Sequence, residues 1–266
     1  MIRIARKIWT LLAIMYALMT EYRAELLLWC LSGILPFLMF GVWHEIAAQS
    51  GQTLPLNTTM LARYFLAMFF VRQLTVVWVI WEFEFHVLSG RLSPYLLQPL
   101  DFGWRQLAAH LAEQAARIPF SIIFIVLFLV LYPRALWVPT WTEITLGLTT
   151  IYLAFTLRFL IQYCLAMLCF WYERASSLEQ LLFLAYTFLS GVVAPLSFYP
   201  PTLRRVLWWT PFPYMVDFPV SLLIGQAPSV PVEQGLGMLL GWIVLFLALN
   251  RWLWKLGLKH YSAMGA

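Results

Sequence analysis

The chain has 266 residues, 62% of them hydrophobic and only 11% charged, with a formal net charge of +5. Soluble domains carry about 25% charged residues, and a soluble fold of this length has too little interior to hide so much apolar surface. Composition therefore excludes an ordinary soluble enzyme. It also argues against a nucleic-acid binder, because the basic residues sit between apolar blocks instead of forming a patch.

The first segment, Arg3, Arg6 and Lys7 followed by "IWTLLAIMYALM", imitates a signal peptide, but the continuation "TEYRAE" is charged and offers no small-residue cleavage site. Ile4, Ile8, Leu11, Leu12, Met15 and Tyr22 recur at helical spacing, with Arg3, Lys7, Thr10 and Glu21 between them. This predicts an amphipathic helix over 1–24 lying in a membrane interface. Six blocks then follow that are apolar enough to span: about 25–43, 61–80, 118–132, 144–171, 178–195 and 235–254. Trp43, Trp78, Trp81, Trp137, Trp141, Trp171, Tyr172, Trp252 and Trp254 cluster at their ends, where amphipathic rings meet headgroups. Ser176 with Glu179, and Ser177 with Gln180, form capping-box patterns at the head of the fifth block. Asn57-Thr58-Thr59 matches a glycosylation acceptor, which carries meaning only in a eukaryotic secretory setting. The expected architecture is an all-α integral membrane protein, a single transmembrane domain over 1–266.

Placing the N-terminus inside puts Arg3, Arg6, Lys7, Arg23, Arg91, Arg105, Arg117, Arg174, Arg251, Lys255 and Lys259 on the inner side. Only Arg63, Arg134, Arg204 and Arg205 fall outside, so the positive-inside rule predicts both termini in the cytoplasm. The connection after the second block, "WEFEFHVLSGRLSPYLLQPLD", is then cytoplasmic. Ser93-Pro94 is a good helix start, Pro99 a stop, and Asp101 a cap for the next piece. That piece, "FGWRQLAAHLAEQAARI", places Trp104, Leu107, Ala108, Leu111 and Ala115 on one face and Arg105, Gln106, Glu113 and Arg117 on the other. It predicts a surface-lying helix leading into the third span. On the outer side, residues 194–226 are too apolar for a solvated loop, yet six prolines forbid one helix. Two half-helices, about 202–209 and 217–224 with Gly225 as a stop, would dip into the leaflet as a re-entrant hairpin.

Glu82, Glu84 and His86 could be read as a metal or acid/base set, but i, i+2, i+4 spacing spreads side chains around a helix. A charged mouth at the end of the second span is the better reading. Cys30, Cys164 and Cys169 lie inside apolar blocks without metal-ligand spacing and read as buried free thiols. Arg72 and Arg158 fall within spans, where an ionised side chain costs at least about 2.5–3.5 kcal/mol at the helix centre. They either attract an anionic headgroup or substrate, or pair locally. Trp208, Trp209, Phe212, Tyr214 and Asp217 in the hairpin complete a candidate pathway or gate, and its aromatics favour a lipid, glycolipid or lipophilic substrate over a small ion, unless they merely anchor the hairpin. None of the three lysines follows a glycine, so the chain has no phosphate loop, and any ATP must be bound by another chain.

Taken together, six spans, an N-terminal interface helix, a charged loop after span two and a broken hairpin before span six resemble the membrane subunits of type-two ABC exporters. The loop is similar to the segment "I-x-x-G-x-L-S-x-x-L-L-x-P-L" of a bacterial permease branch, falling here on Val87, Gly90, Leu92, Ser93, Leu96, Leu97, Pro99 and Leu100. The resemblance implies a coupling helix docked on a cytoplasmic ATPase, assigned to Gly90, Ser93, Pro94, Tyr95, Leu96, Leu97 and Gln98, with Glu82, Glu84, His86 and Arg91 as neighbouring polar contacts. The family's usual Arg before "P-L" is Gln98 here. It also implies a second permease subunit, ATP and Mg on the partner ATPase with no cofactor on this chain, no enzymatic activity of its own, and residence in a bacterial plasma membrane. The rival classes are an ion-coupled secondary transporter, which lacks its inverted repeats and mid-span carboxylates here, and a lipid-modifying membrane enzyme, which lacks a convergent His/Asp set.

Overall fold

The computed structural model describes residues 2–21, 23–50, 55–172, 174–228 and 230–261. Met1 and Tyr22 of the expected interface helix lie outside them, as do the side chains of Arg3, Ile4, Lys7 and Arg23. Among the described residues there is no strand. Helix α1 (Ile2–Glu21) packs along the first half of a later helix, Phe102–Leu131, where Leu11 and Met15 meet Ala109 and Ala112. Helices α2 (Arg23–Ser32) and α3 (Leu35–Ser50) form one apolar rod, interrupted by a turn at Gly33 and Ile34.

The second expected span is not one helix. It is α4 (Thr58–Thr75) followed, after a non-helical stretch at 76–78, by α5 (Val79–Leu88). Asn57, the matched glycosylation residue, caps α4 by accepting from the Met60 N–H at 2.8 Å. The short α6 (Ser93–Leu96) follows a turn at Gly90, whose φ of 69° suits a residue without Cβ.

The expected surface helix and third span are one helix, α7 (Phe102–Leu131), and the polar face of its first half points inward, not toward headgroups. Gln106, His110, Glu113, Gln114 and Arg117 are buried, whereas Trp104 and Ile118 are exposed. The reason is local: the break in the second span leaves backbone and indole N–H groups that only polar side chains on α7 can satisfy.

Helix α8 (Trp141–Ala166) starts at a complete Thr140/Glu143 capping box and ends in a 3₁₀ turn, Met167–Phe170. Helix α9 (Ser177–Leu189) has 13 residues, about 20 Å, short of the roughly 30 Å hydrocarbon core. It stops where Gly191, at φ 98°, takes a left-handed turn. The expected half-helices are α10 (Pro201–Leu207) and α11 (Asp217–Leu223), and α12 (Val232–His260) closes the chain. Among the described residues five helical segments are long and apolar enough to cross a membrane, and α9 and Ile8–Glu21 of α1 are shorter apolar helices.

Two cores hold these helices. At one end α11 inserts between α4 and α8, and residues 217–224 are all buried. At the other, Phe83 is fully buried beneath four rings: Phe102 at 5.7 Å, Tyr163 at 5.4 Å, Phe170 at 5.5 Å and Trp254 at 6.2 Å. This aromatic hub joins α5, α7, α8 and α12 directly above α6.

Candidate functional site

The α6 unit is clamped from three directions. The Glu84 carboxylate accepts from the Ser176 backbone N–H at 2.7 Å and its hydroxyl at 3.0 Å, so α5 caps the start of α9. The expected capping boxes at Ser176 and Ser177 do not form. Ser176 makes no side-chain cap, and Glu179 turns away to Gln162. Ser93 does not cap either; its hydroxyl lies 3.0 Å from that of Tyr261 beyond α12. Asp101 caps α7 through the Gly103 N–H at 2.8 Å, and its other oxygen accepts from Arg251 of α12 at 2.8 Å.

Within this clamp the side chains divide by side. Tyr95 faces inward, with His86 at 5.3 Å, Phe102 at 5.4 Å and the Arg105 guanidinium 4.8 Å over its ring. His86 is tied to its own helix through the Glu82 carbonyl, and Arg91 stacks on Phe85 at 5.1 Å. Pro94, Leu96, Leu97 and Gln98 face outward, and Leu97 is 89% exposed. Glu82 is half-buried and, like Glu84 and His86, faces its own fold. The site therefore presents an apolar tip with Arg91 at its edge, and not a ring of free carboxylates.

Above it, the Trp78 backbone N–H donates to His110 Nε2 at 3.1 Å and its indole donates to Glu113 at 2.6 Å. His110 Nδ1 lies 2.8 Å from the Gln106 carbonyl, which can only accept, so the ring is the neutral Nδ1–H tautomer. Glu113 also pairs with Arg117.

At the opposite end Asp217 is a junction. Its backbone N–H donates to the Ser190 carbonyl at 3.0 Å, and its Oδ1 accepts from the Leu196 N–H at 3.1 Å. Tyr64 Oη lies 2.9 Å from that Oδ1 and 3.0 Å from the Gly191 carbonyl oxygen. One hydroxyl proton cannot serve both acceptors. Tyr64 therefore divides its proton between the Asp217 carboxylate and the Gly191 carbonyl. Burial raises the Asp217 carboxyl from 3.8 to about 6, against the pull of the Leu196 and Tyr64 hydrogen bonds and of Arg204. Tyr214 is buried and donates to the Trp208 carbonyl at 2.7 Å; Trp208 is buried, Phe212 half-buried and Trp209 75% exposed. Arg72 and Arg158 lie beside Tyr186 of α9, where Met215 of the hairpin segment also borders Arg158.

A family comparison places this geometry. The model of the ABC-2 family transporter protein matches residues 36–265, from α3 to beyond α12. The chain belongs to the ABC-2 transporter family. No curated protein matches it. An ABC-2 permease subunit is the multi-pass membrane component of an ABC transporter and works with separate ATPase subunits.

In this ABC-2 subunit, several of the residues that build the site carry no local signal. Ser176, Arg251 and Tyr261 lie 92, 150 and 168 positions from their partners on the α6 unit. Trp78 is legible as an interface tryptophan, and only the broken backbone makes it a partner of His110, which no local pattern marks. Buried Glu113 and Arg117, spaced i and i+4, were the one signal that this helix face has internal work.

Proposed function

We propose that this chain is the transmembrane half of an ATP-driven exporter moving a lipid-like, glycolipid or lipophilic substrate across or between leaflets. The observation that carries the reading is the α6 tip: two exposed leucines, Leu96 at the end of a four-residue helix and Leu97 just past it, on a unit whose flanks are tied to α9 and α12. Such a unit suits docking to a cytoplasmic ABC ATPase through Leu96, Leu97 and Gln98, with Arg91 alongside. ATP and Mg belong to that partner; this chain binds neither and catalyses nothing itself. A push on α6 passes through Phe83 to α5, α8 and α12, and through Glu84 to α9. Both termini then face the cytoplasm of a bacterium, and the α10–α11 hairpin lies in the outer leaflet.

The bare faces of α9 and α12, where Phe183, Leu184, Phe188, Val244 and Leu245 are exposed, are covered by lipid and by a second permease subunit, either a copy or a relative. Replacing residues 95–98 with a Gly/Ser linker tests the docking assignment. The expected result is a correctly inserted protein that no longer retains the ATPase or stimulates ATP hydrolysis. Retention with normal hydrolysis would sink it.

A further inference from the structure

Helix α9 is inside out. Its apolar residues Leu181, Phe183, Leu184 and Phe188 are exposed, while its two buried residues are Glu179 and Tyr186, seven positions apart on one face. They look toward Arg158 and Gln162 of α8 and Arg72 of α4. The Arg158 guanidinium carbon sits over the Tyr186 ring, 4.3 Å from its centroid. Among the described residues neither arginine has a carboxylate within ion-pair distance; the two ion pairs present are Glu113 with Arg117 and Asp101 with Arg251. The cluster is also under-bonded. Gln162 Oε1 and Glu179 Oε2 are buried without a partner, although both residues are less than a tenth exposed, and Arg72 lies against the Tyr186 hydroxyl.

Two neighbouring guanidiniums with one carboxylate leave a net positive charge inside a membrane bundle, where unpaired polar groups are expensive. Stability alone gives no reason to keep this arrangement. We infer that this seam between α4, α8 and α9 is a binding site for a phosphate-type oxyanion, most simply the headgroup of an anionic amphiphile entering sideways past α9. This rests on the exporter reading. Arg72 and Arg158 supply the planar N–H forks that match a phosphate, and Tyr186 a third donor. Glu179 and Gln162 remain as acceptors for a hydroxyl-bearing headgroup. The cavity there is about 10 Å³, room for one water, so the structure holds the seam shut. Opening falls to α9, which is tied down at its ends, by Glu84 at Ser176 and by Asp217 at Ser190, and bare along its outer face.

The test is native mass spectrometry of the full-length detergent-solubilised protein titrated separately with phosphatidylglycerol, phosphatidylcholine and inorganic phosphate. The wild type is expected to retain phosphatidylglycerol over phosphatidylcholine. Arg158→Gln should weaken that retention by about tenfold, whereas Arg205→Gln on α10 should not. Retention of inorganic phosphate without phosphatidylglycerol, lost in Arg158→Gln, would keep the oxyanion site and assign it to a free anion. Equal retention of the two lipids with no phosphate bound overturns the proposal from the wild type alone, so a variant that fails to fold does not shelter it. Co-purified ATPase separates the two readings. If it is retained while lipid selectivity is absent, the site falls and the exporter stands; if it is missing while selectivity persists, the reverse holds.

Discussion

At the scale of single residues, Asp217 joins three segments through one carboxylate and its own backbone N–H. Gly90, Pro94, Asp101 and Gly225 could be placed because turns, helix starts and caps demand particular side chains within a few positions. Asp217 is legible as a hairpin residue of a candidate pathway or gate, but nothing in its neighbourhood reveals Tyr64, 153 positions earlier. Its environment has a measurable consequence. Because burial raises the folded carboxyl from 3.8 to about 6, the folded protein holds a proton that the unfolded chain has released across that window. Stability should therefore fall as pH rises from about 4 to about 6, by up to about 3 kcal/mol at roughly 1.36 kcal/mol per unit. Thermal unfolding against pH should show that slope in the wild type and lose it in Asp217→Asn. Phe83 makes a second case: Phe83→Ala empties the centre of the aromatic hub and should cost about 3–5 kcal/mol, read as a lower unfolding midpoint.

At the scale of elements, the apolar blocks, the two hairpin half-helices and the α6 start were legible from hydropathy and from proline and glycine spacing. The break in the second span was not. Residues 76–78 are Val-Val-Trp, which no helix rule marks as a stop, and the backbone leaves the helix there because α7 offers better partners. The same bargain explains why the polar face of α7 turns inward, against the expectation from amphipathicity alone. Removing the acceptor should show it. His110→Ala strands the Trp78 N–H, at about 1–3 kcal/mol for an unpaired buried donor, and hydrogen exchange at residues 76–79 should accelerate while exchange in α4 stays slow. Close packing between elements sets another limit. A Cβ at Gly257 of α12 would fall within the Phe170 ring, so Gly257→Ala should destabilise by about 1–3 kcal/mol of overpacking.

At the scale of the whole molecule, an all-α membrane protein was evident from composition, since no soluble interior absorbs this much apolar surface. What composition could not supply is how the two ends communicate, because that depends on which helices touch. The α6 end and the hairpin end meet through α9, whose first residue cap belongs to α5 and whose last turn is bonded to α11. Docking can be probed without disturbing the scaffold: Leu97→Glu, at a position 89% exposed, should abolish ATPase retention while leaving the unfolding midpoint within about 0.5 kcal/mol of wild type. The gap at residues 76–78 then takes on a mechanical meaning. A continuous rod pushed from below can only slide or tilt as one piece, but a rod cut between a longer and a shorter arm and pinned beside the cut behaves as a crank. If an ATPase docks at α6 as proposed, thrust on the shorter arm, α5, becomes torque about the Trp78–His110 pivot, and the longer arm, α4, can stay still while α5 turns.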